Sequence, residues 1–177
     1  MEIIFIRHEQ AEAGHADLPD RERRLSQKGQ AQAQAAVVEL VDYLQKADIS
    51  PDPDPDLGQL GNSVESNVAS QTPATVIWTS PALRAQETAQ PIVEALKVAA
   101  DLQDFIYSGE FSKLQAALAE LPQSVATLLL VGHEPILSQW IEKLTGEAVK
   151  MKKGDRASVK LDKLDGQTLE GTYQGKI

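Results

Sequence analysis

Apolar positions along the chain follow two rhythms. Ile3-Ile4-Phe5-Ile6, Thr75-Val76-Ile77-Trp78-Thr79 and Ala126-Thr127-Leu128-Leu129-Leu130-Val131 are short runs rich in apolar residues. Runs of this length and composition are expected of strands buried on both faces. Between them apolar residues recur at helical spacing: Ala33, Val37, Leu40, Val41 and Leu44, then Ala82, Ala85, Ala89, Ile92, Val93 and Leu96. Phe111, Leu114, Leu118 and Leu121 repeat the pattern, as do Ile136, Leu137, Trp140, Ile141 and Leu144. Each set predicts one buried helix face. Buried strands alternating with helices imply an α/β fold, a mostly parallel central sheet sandwiched by helices.

The element boundaries have their own signals. Ser26 is placed to cap the first helix, and Ser80 to cap the second, with Pro81 at its first position. Pro91 should kink or split that second helix. Leu102 to Tyr107 reads as a short strand and Ser108-Gly109-Glu110 as a turn. Ala157 to Leu164 and Thr168 to Tyr173, joined at Asp165-Gly166, read as a closing hairpin. The stretch 48–74 differs in kind: Ser50-Pro51-Asp52-Pro53-Asp54-Pro55-Asp56 suits neither helix nor ladder, so a surface insertion within a single domain, 1–177, is expected.

Composition narrows the function classes. A chain of 177 residues with 42% hydrophobic and 24% charged residues is expected to be globular, and no run is long enough to span a membrane. No secretory signal is read at the first residues and no cysteine is present, which makes a cytoplasmic protein the expectation. The formal net charge of −9 argues against nucleic acid as a partner. A local cationic cluster can still bind a phosphorylated group.

Three strand-to-helix junctions carry the polar residues: Arg7-His8, Ser80 to Arg84, and Gly132-His133. In a parallel sheet, ligands bind at the carboxyl ends of the strands, so all three junctions would face one crevice. Two arginines suit a phosphoryl group through charge-assisted, bidentate hydrogen bonds. A neutral imidazole is a competent nucleophile able to form a covalent intermediate. His8, His15 and His133 lack the close pairing of a zinc helix, so no metal and no cofactor is expected.

With these residues in order, the chain resembles the histidine phosphatase superfamily, the phosphoglycerate mutase-like proteins. The resemblance rests on Ile6-Arg7-His8, Arg24-Leu25-Ser26-Gln27-Lys28-Gly29, Ser80-Pro81-Ala82-Leu83-Arg84-Ala85-Gln86-Glu87-Thr88-Ala89 and Gly132-His133-Glu134-Pro135. It is greatest to the SixA branch of phosphohistidine phosphatases. It implies a three-layer α/β/α sandwich, with His8 as nucleophile, Arg7 and Arg84 on the phosphate, and His133 completing the pocket. For the proton donor it implies either Glu110 or Glu134; Glu9, where many relatives have a small residue, places a further carboxylate beside the nucleophile. A site without a strong acid suits an imidazole leaving group better than an alkoxide. The former has a reference pKa of roughly 6.5; the latter's conjugate acid lies near that of water, about 15.7. The expected partner is a phosphorylated protein, such as a histidine phosphotransfer domain; a small phosphate ester and a non-catalytic phosphate-recognising module are the alternatives. Arg24 is read either on phosphate or paired with Glu22 or Asp20. Arg21, Arg23 and His15 are read as loop or rim residues, Lys150, Lys152 and Lys153 as a solvated run, and Trp78 and Trp140 as core.

Overall fold

A computed structural model describes residues 1–47, 74–164 and 169–177. The expected insertion, apart from Ala74, and the expected hairpin turn at Asp165-Gly166 lie outside these residues. In chain order the elements are β1 (Glu2–Arg7), α1 (Gln27–Ala47), β2 (Ala74–Thr79), α2 (Leu83–Leu96), β3 (Ala100–Leu102), α3 (Asp104–Ser108), α4 (Phe111–Glu120), β4 (Val125–Gly132), α5 (Ile136–Thr145), β5 (Arg156–Leu164) and β6 (Leu169–Lys176). A 3-10 turn at Asp20–Glu22 interrupts the long segment between β1 and α1.

The six strands form one sheet in the order β3-β2-β4-β1-β5-β6. β1, β2, β3 and β4 are parallel, and β5 and β6 close the sheet antiparallel. Alternation along the strands divides the core. Ile3 and Phe5 of β1 and Leu128 and Leu130 of β4 pack with Phe105, Ile106, Leu114, Leu118, Leu137 and Trp140 on the α3–α5 side. Ile4, Ile6, Leu129 and Val131 face the other way, onto Val37 and Leu40 of α1 and Ala85, Ala89 and Ile92 of α2. This is the expected three-layer α/β/α sandwich, its central strands apolar on both faces because both faces are covered. Trp78 and Trp140 are core residues. Among the described residues, no helix is long and apolar enough to cross a membrane.

Local differences from the sequence reading have physical reasons. Leu102 to Tyr107 is not a strand: β3 stops at Leu102 and α3 follows, ended by Gly109 at φ 79°. Only glycine takes that left-handed turn without a steric penalty. Pro91 lies inside an unbroken α2 and does not split it. Helix α2 begins two residues later than Ser80-Pro81 implied, and the Ser80 hydroxyl accepts instead from the Ala82 amide at 3.3 Å. Ser26 does cap α1, accepting the Gly29 amide at 3.1 Å.

Gly29 is required by close approach. A Cβ there would stand 2.1 Å from the Gln10 carbonyl oxygen, the same oxygen that accepts from the Ser26 amide and hydroxyl. Gly29→Ala is therefore expected to push the first turn of α1 off the segment after His8. Overpacking of this kind costs about 2 kcal/mol, a fall in melting temperature of roughly 4–8 °C for a chain of this size. Thermal unfolding checks it; an unchanged midpoint would contradict the contact.

Candidate active site

Register brings the candidate residues together. Arg7 lies opposite Gly132, and Thr79 opposite both Val131 and Leu102, so the four parallel strands end level. The ladder continues one residue past the strands: the His8 amide donates to the Gly132 carbonyl at 3.1 Å, and the Ser80 amide to Val131 at 3.0 Å. His8, Ser80 and His133 therefore leave the sheet side by side. The segment before β5 joins the same edge, where the Arg7 amide donates to Asp155 and the Gly154 amide to Arg7.

His8 and His133 are buried, with ring centroids 5.1 Å apart. His8 Nδ1 lies 2.6 Å from the Glu9 carbonyl oxygen. A carbonyl only accepts, so Nδ1 carries the proton and Nε2 keeps its lone pair. Arg84 Nε donates to that Nε2 at 3.3 Å. His133 Nε2 pairs with the Ser80 hydroxyl at 2.7 Å. Tyr107 stands edge-on to His133 at 5.8 Å between centroids.

Both arginines are held by hydrogen bonds to neighbouring segments. Arg7 Nη1 donates to the Met151 carbonyl at 2.7 Å. The Arg84 guanidinium is buried; Nη1 donates to the Asp20 carbonyl at 2.5 Å and Nη2 to Asp20 Oδ2 at 2.7 Å. Thr88 ties α2 to the segment after His8, donating to the Arg84 carbonyl at 2.7 Å and accepting the Glu9 amide at 3.1 Å. Glu87 accepts from Arg24 Nε at 2.7 Å and the Leu25 amide at 2.6 Å. The stretch from Arg84 to Thr88 thus clamps both the segment after β1 and the entry to α1.

Burial pulls the His8 imidazole down to about 4, with the Arg84, Arg7 and Lys153 charges adding to the effect and the bond to Glu9 opposing it. Burial likewise pulls His133 down to about 3, helped by Arg84, His8 and Arg7 and opposed by Asp20. Both rings are neutral at neutral pH. An unfolded histidine binds its proton near 6.5, so below that value the unfolded chain holds more protons than the native one. Acid therefore destabilises the fold: stability is lost as the pH falls from about 6.5 to about 4 for His8 and to about 3 for His133. Urea unfolding across this window is expected to show the loss, and His133→Asn to reduce it. Equal pH slopes in the two proteins would contradict a buried neutral His133.

The remaining candidates fall elsewhere. Glu9 is buried but turned from the pocket: a Cβ on Gly154 would stand 2.4 Å from its Oε1. Its carboxyl is raised by burial, against the Arg156 charge. Glu110 is exposed at the start of α4, where it accepts from Ser108 at 2.7 Å and Lys113 at 3.0 Å. Those bonds hold its carboxyl below the usual carboxylate range. Glu134 accepts from Ser138 at 2.8 Å. No described hydrogen bond of these three carboxylates reaches His8, His133, Arg7 or Arg84. Arg24 pairs with Glu87, not with Glu22 or Asp20. Arg21 pairs with Asp104 and covers the Tyr107 ring at 5.3 Å, and His15 is exposed.

Sequence reasoning missed Asp20 and Tyr107 as neighbours of Arg84 and His133. Asp20 lies on the path between β1 and α1, for which spacing holds no signal, and Tyr107 lies in α3, where a strand is expected from the sequence.

No family model matches the chain, and no curated protein matches it. Solved structures do. A protein histidine phosphatase SixA complexed with tungstate superposes with a TM-score of 0.71 at 21% identity, over 100% of this chain and 96% of that one. A mycobacterial glucosyl-3-phosphoglycerate phosphatase gives 0.67 at 13% identity, over 98% and 97%. The alpha-ribazole phosphatase from Shigella flexneri gives 0.61 at 17%, over 99% and 95%. Level strand ends, a histidine pair and this superposition agree on the architecture: the chain has the phosphoglycerate mutase-like fold shared by SixA and other histidine phosphatases.

Proposed function

We propose that the chain is a metal-independent phosphatase working through a covalent phosphohistidine on His8, with phosphohistidine proteins as its substrate class. The observation that carries this reading is the state of the His8 ring. Its Nδ1 proton is committed to the Glu9 carbonyl, leaving the Nε2 lone pair against the Arg84 guanidinium. That is the form in which imidazole attacks phosphorus.

In this mechanism Arg7 and Arg84 bind the phosphoryl oxygens and supply the positive charge that the transferring group needs. Nε2 bonds to phosphorus as the bond to the leaving group breaks, its electron pair departing with that group. His133, neutral and held by Ser80, supports the phosphoryl oxygens from the other side. Two buried nitrogens, Arg7 Nε and His133 Nδ1, make no hydrogen bond among the described residues. A phosphoryl oxygen would pair them; left unpaired, each costs about 1–3 kcal/mol. Water then releases phosphate from His8.

The leaving group argues for the substrate. None of the acidic residues read from the sequence is positioned as a donor, and an imidazole departs neutral with less help than an alkoxide. The SixA structure on which the chain superposes is a protein histidine phosphatase, and this likeness supports the same chemistry here. A phosphorylated protein such as a histidine phosphotransfer domain fits, whereas nucleic acid does not fit a chain of net charge −9.

The test is capture of the intermediate. Mixed with a phosphohistidine donor, the protein should take up acid-labile, base-stable phosphate on His8 and release inorganic phosphate, faster than it hydrolyses a sugar phosphate. Faster ester hydrolysis would make it a small-molecule phosphatase. Bound phosphate analogues with no label and no turnover would make it a recognition module.

A further inference from the structure

Hydrolysis of a phosphohistidine needs a group that receives and orients water, and the carboxylates read from the sequence do not face the pocket. Asp20 does. Its Oδ2 accepts from Arg84 Nη2 at 2.7 Å and from the Tyr107 hydroxyl at 3.3 Å, and its Oδ1 from Arg23 Nη1 at 2.9 Å. Arg84 uses its remaining edge on His8, donating from Nε to Nε2. One guanidinium therefore separates the carboxylate from the atom that would carry the phosphoryl group. The Asp20 charge is also felt at His133, where it opposes that of Arg84. The side chain is 50% exposed, so water reaches it.

From this juxtaposition of Asp20, Arg84 and His8, and resting on the phosphatase reading above, we propose that Asp20 holds the water that attacks phospho-His8 and accepts its proton. When Nε2 bonds to phosphorus, its lone pair no longer accepts from Arg84. The Nε–H of Arg84 turns to a phosphoryl oxygen while its two Nη atoms keep Asp20 in place. The water oxygen then bonds to phosphorus as the P–Nε2 bond breaks, and the electron pair returns to Nε2. One water proton passes to Asp20 and from there to the departing phosphate.

Two features suit Asp20 to this step. Partial burial raises its affinity for a proton, but the hydrogen bonds from Arg84 and Arg23 outweigh that and keep it ionised. Loose phosphoryl-transfer transition states need the nucleophile oriented more than strongly deprotonated, so a weakly basic carboxylate suffices. Three of its roughly four lone-pair directions are taken by Arg84, Arg23 and Tyr107, which fixes the direction of the one left for water.

The test separates the two half-reactions on the full chain. Rapid quench with phosphoramidate as donor measures the rates at which phospho-His8 forms and decays in the wild type, Asp20→Asn and Asp20→Ala. Asparagine keeps an acceptor for Arg84 but takes no proton. The expected result is labelling within about threefold of the wild type and decay slowed roughly 100-fold, so that phospho-His8 accumulates. Added formate should restore decay in Asp20→Ala. Decay at the wild-type rate in Asp20→Asn overturns the proposal, as does a parallel fall in labelling and decay, which would make Asp20 a positioning residue for Arg84. A wild type that never takes label on His8 overturns the phosphatase reading itself, a result distinct from both.

Discussion

His8→Asn is expected to abolish covalent labelling and to lower turnover by roughly four orders of magnitude or more, as losses of covalent nucleophiles do. Asparagine can keep a hydrogen bond to the Glu9 carbonyl but has no ring lone pair to attack phosphorus. The fold should survive, because the backbone of residue 8 is held independently by the Gly132 carbonyl. Removing a buried imidazole held neutral down to about 4 should also make the variant less sensitive to acid than the wild type. Phosphate release and phosphopeptide mapping, together with urea unfolding at two pH values, check both halves. Residual turnover above one per cent would place the nucleophile elsewhere.

Arg84→Ala is expected to cost roughly 10³-fold in kcat/KM, the range for a guanidinium that neutralises a transferring phosphoryl group. Arg84→Lys should recover little. A lysine is a point charge and cannot bond His8 Nε2 and both Asp20 acceptors with a single planar fork. Stability should change far less than activity, since Asp20 is half-exposed and keeps its pair with Arg23. Steady-state kinetics with a phosphohistidine donor, beside thermal unfolding, separate the two effects. A loss below tenfold would falsify the assignment of Arg84 to the phosphoryl group.

Much of the site was legible because it lies at strand ends. A run such as Ile3 to Ile6 announces a strand buried on both faces, and the polar pair that stops it marks the sheet edge. Three such junctions in a parallel sheet must share that edge, so His8, Ser80–Arg84 and His133 could be grouped without coordinates. Ser26 as a cap was legible too, since capping depends on neighbours in sequence. The carboxylate was not. Glu9 and Glu134 adjoin motif histidines and Glu110 is a candidate only by the family resemblance, yet their side chains turn to Gly154, to Ser138, and to Ser108 and Lys113. The apolar residues around Tyr107 fit a strand as well as a helix, and in the fold residues 104–108 form α3.

The sequence by itself determined the layers, the parallel sense of the central strands and the edge at which chemistry would gather. These follow from hydrophobic period and chain punctuation, which are local properties. Only the tertiary structure decided which charges meet: Arg84 with Asp20 across 64 residues, Arg24 with Glu87 across 63, and Arg7 with the Met151 carbonyl across 144. A hydrogen bond depends on ångström-scale position and direction, and loop paths set both. Residue spacing constrains neither.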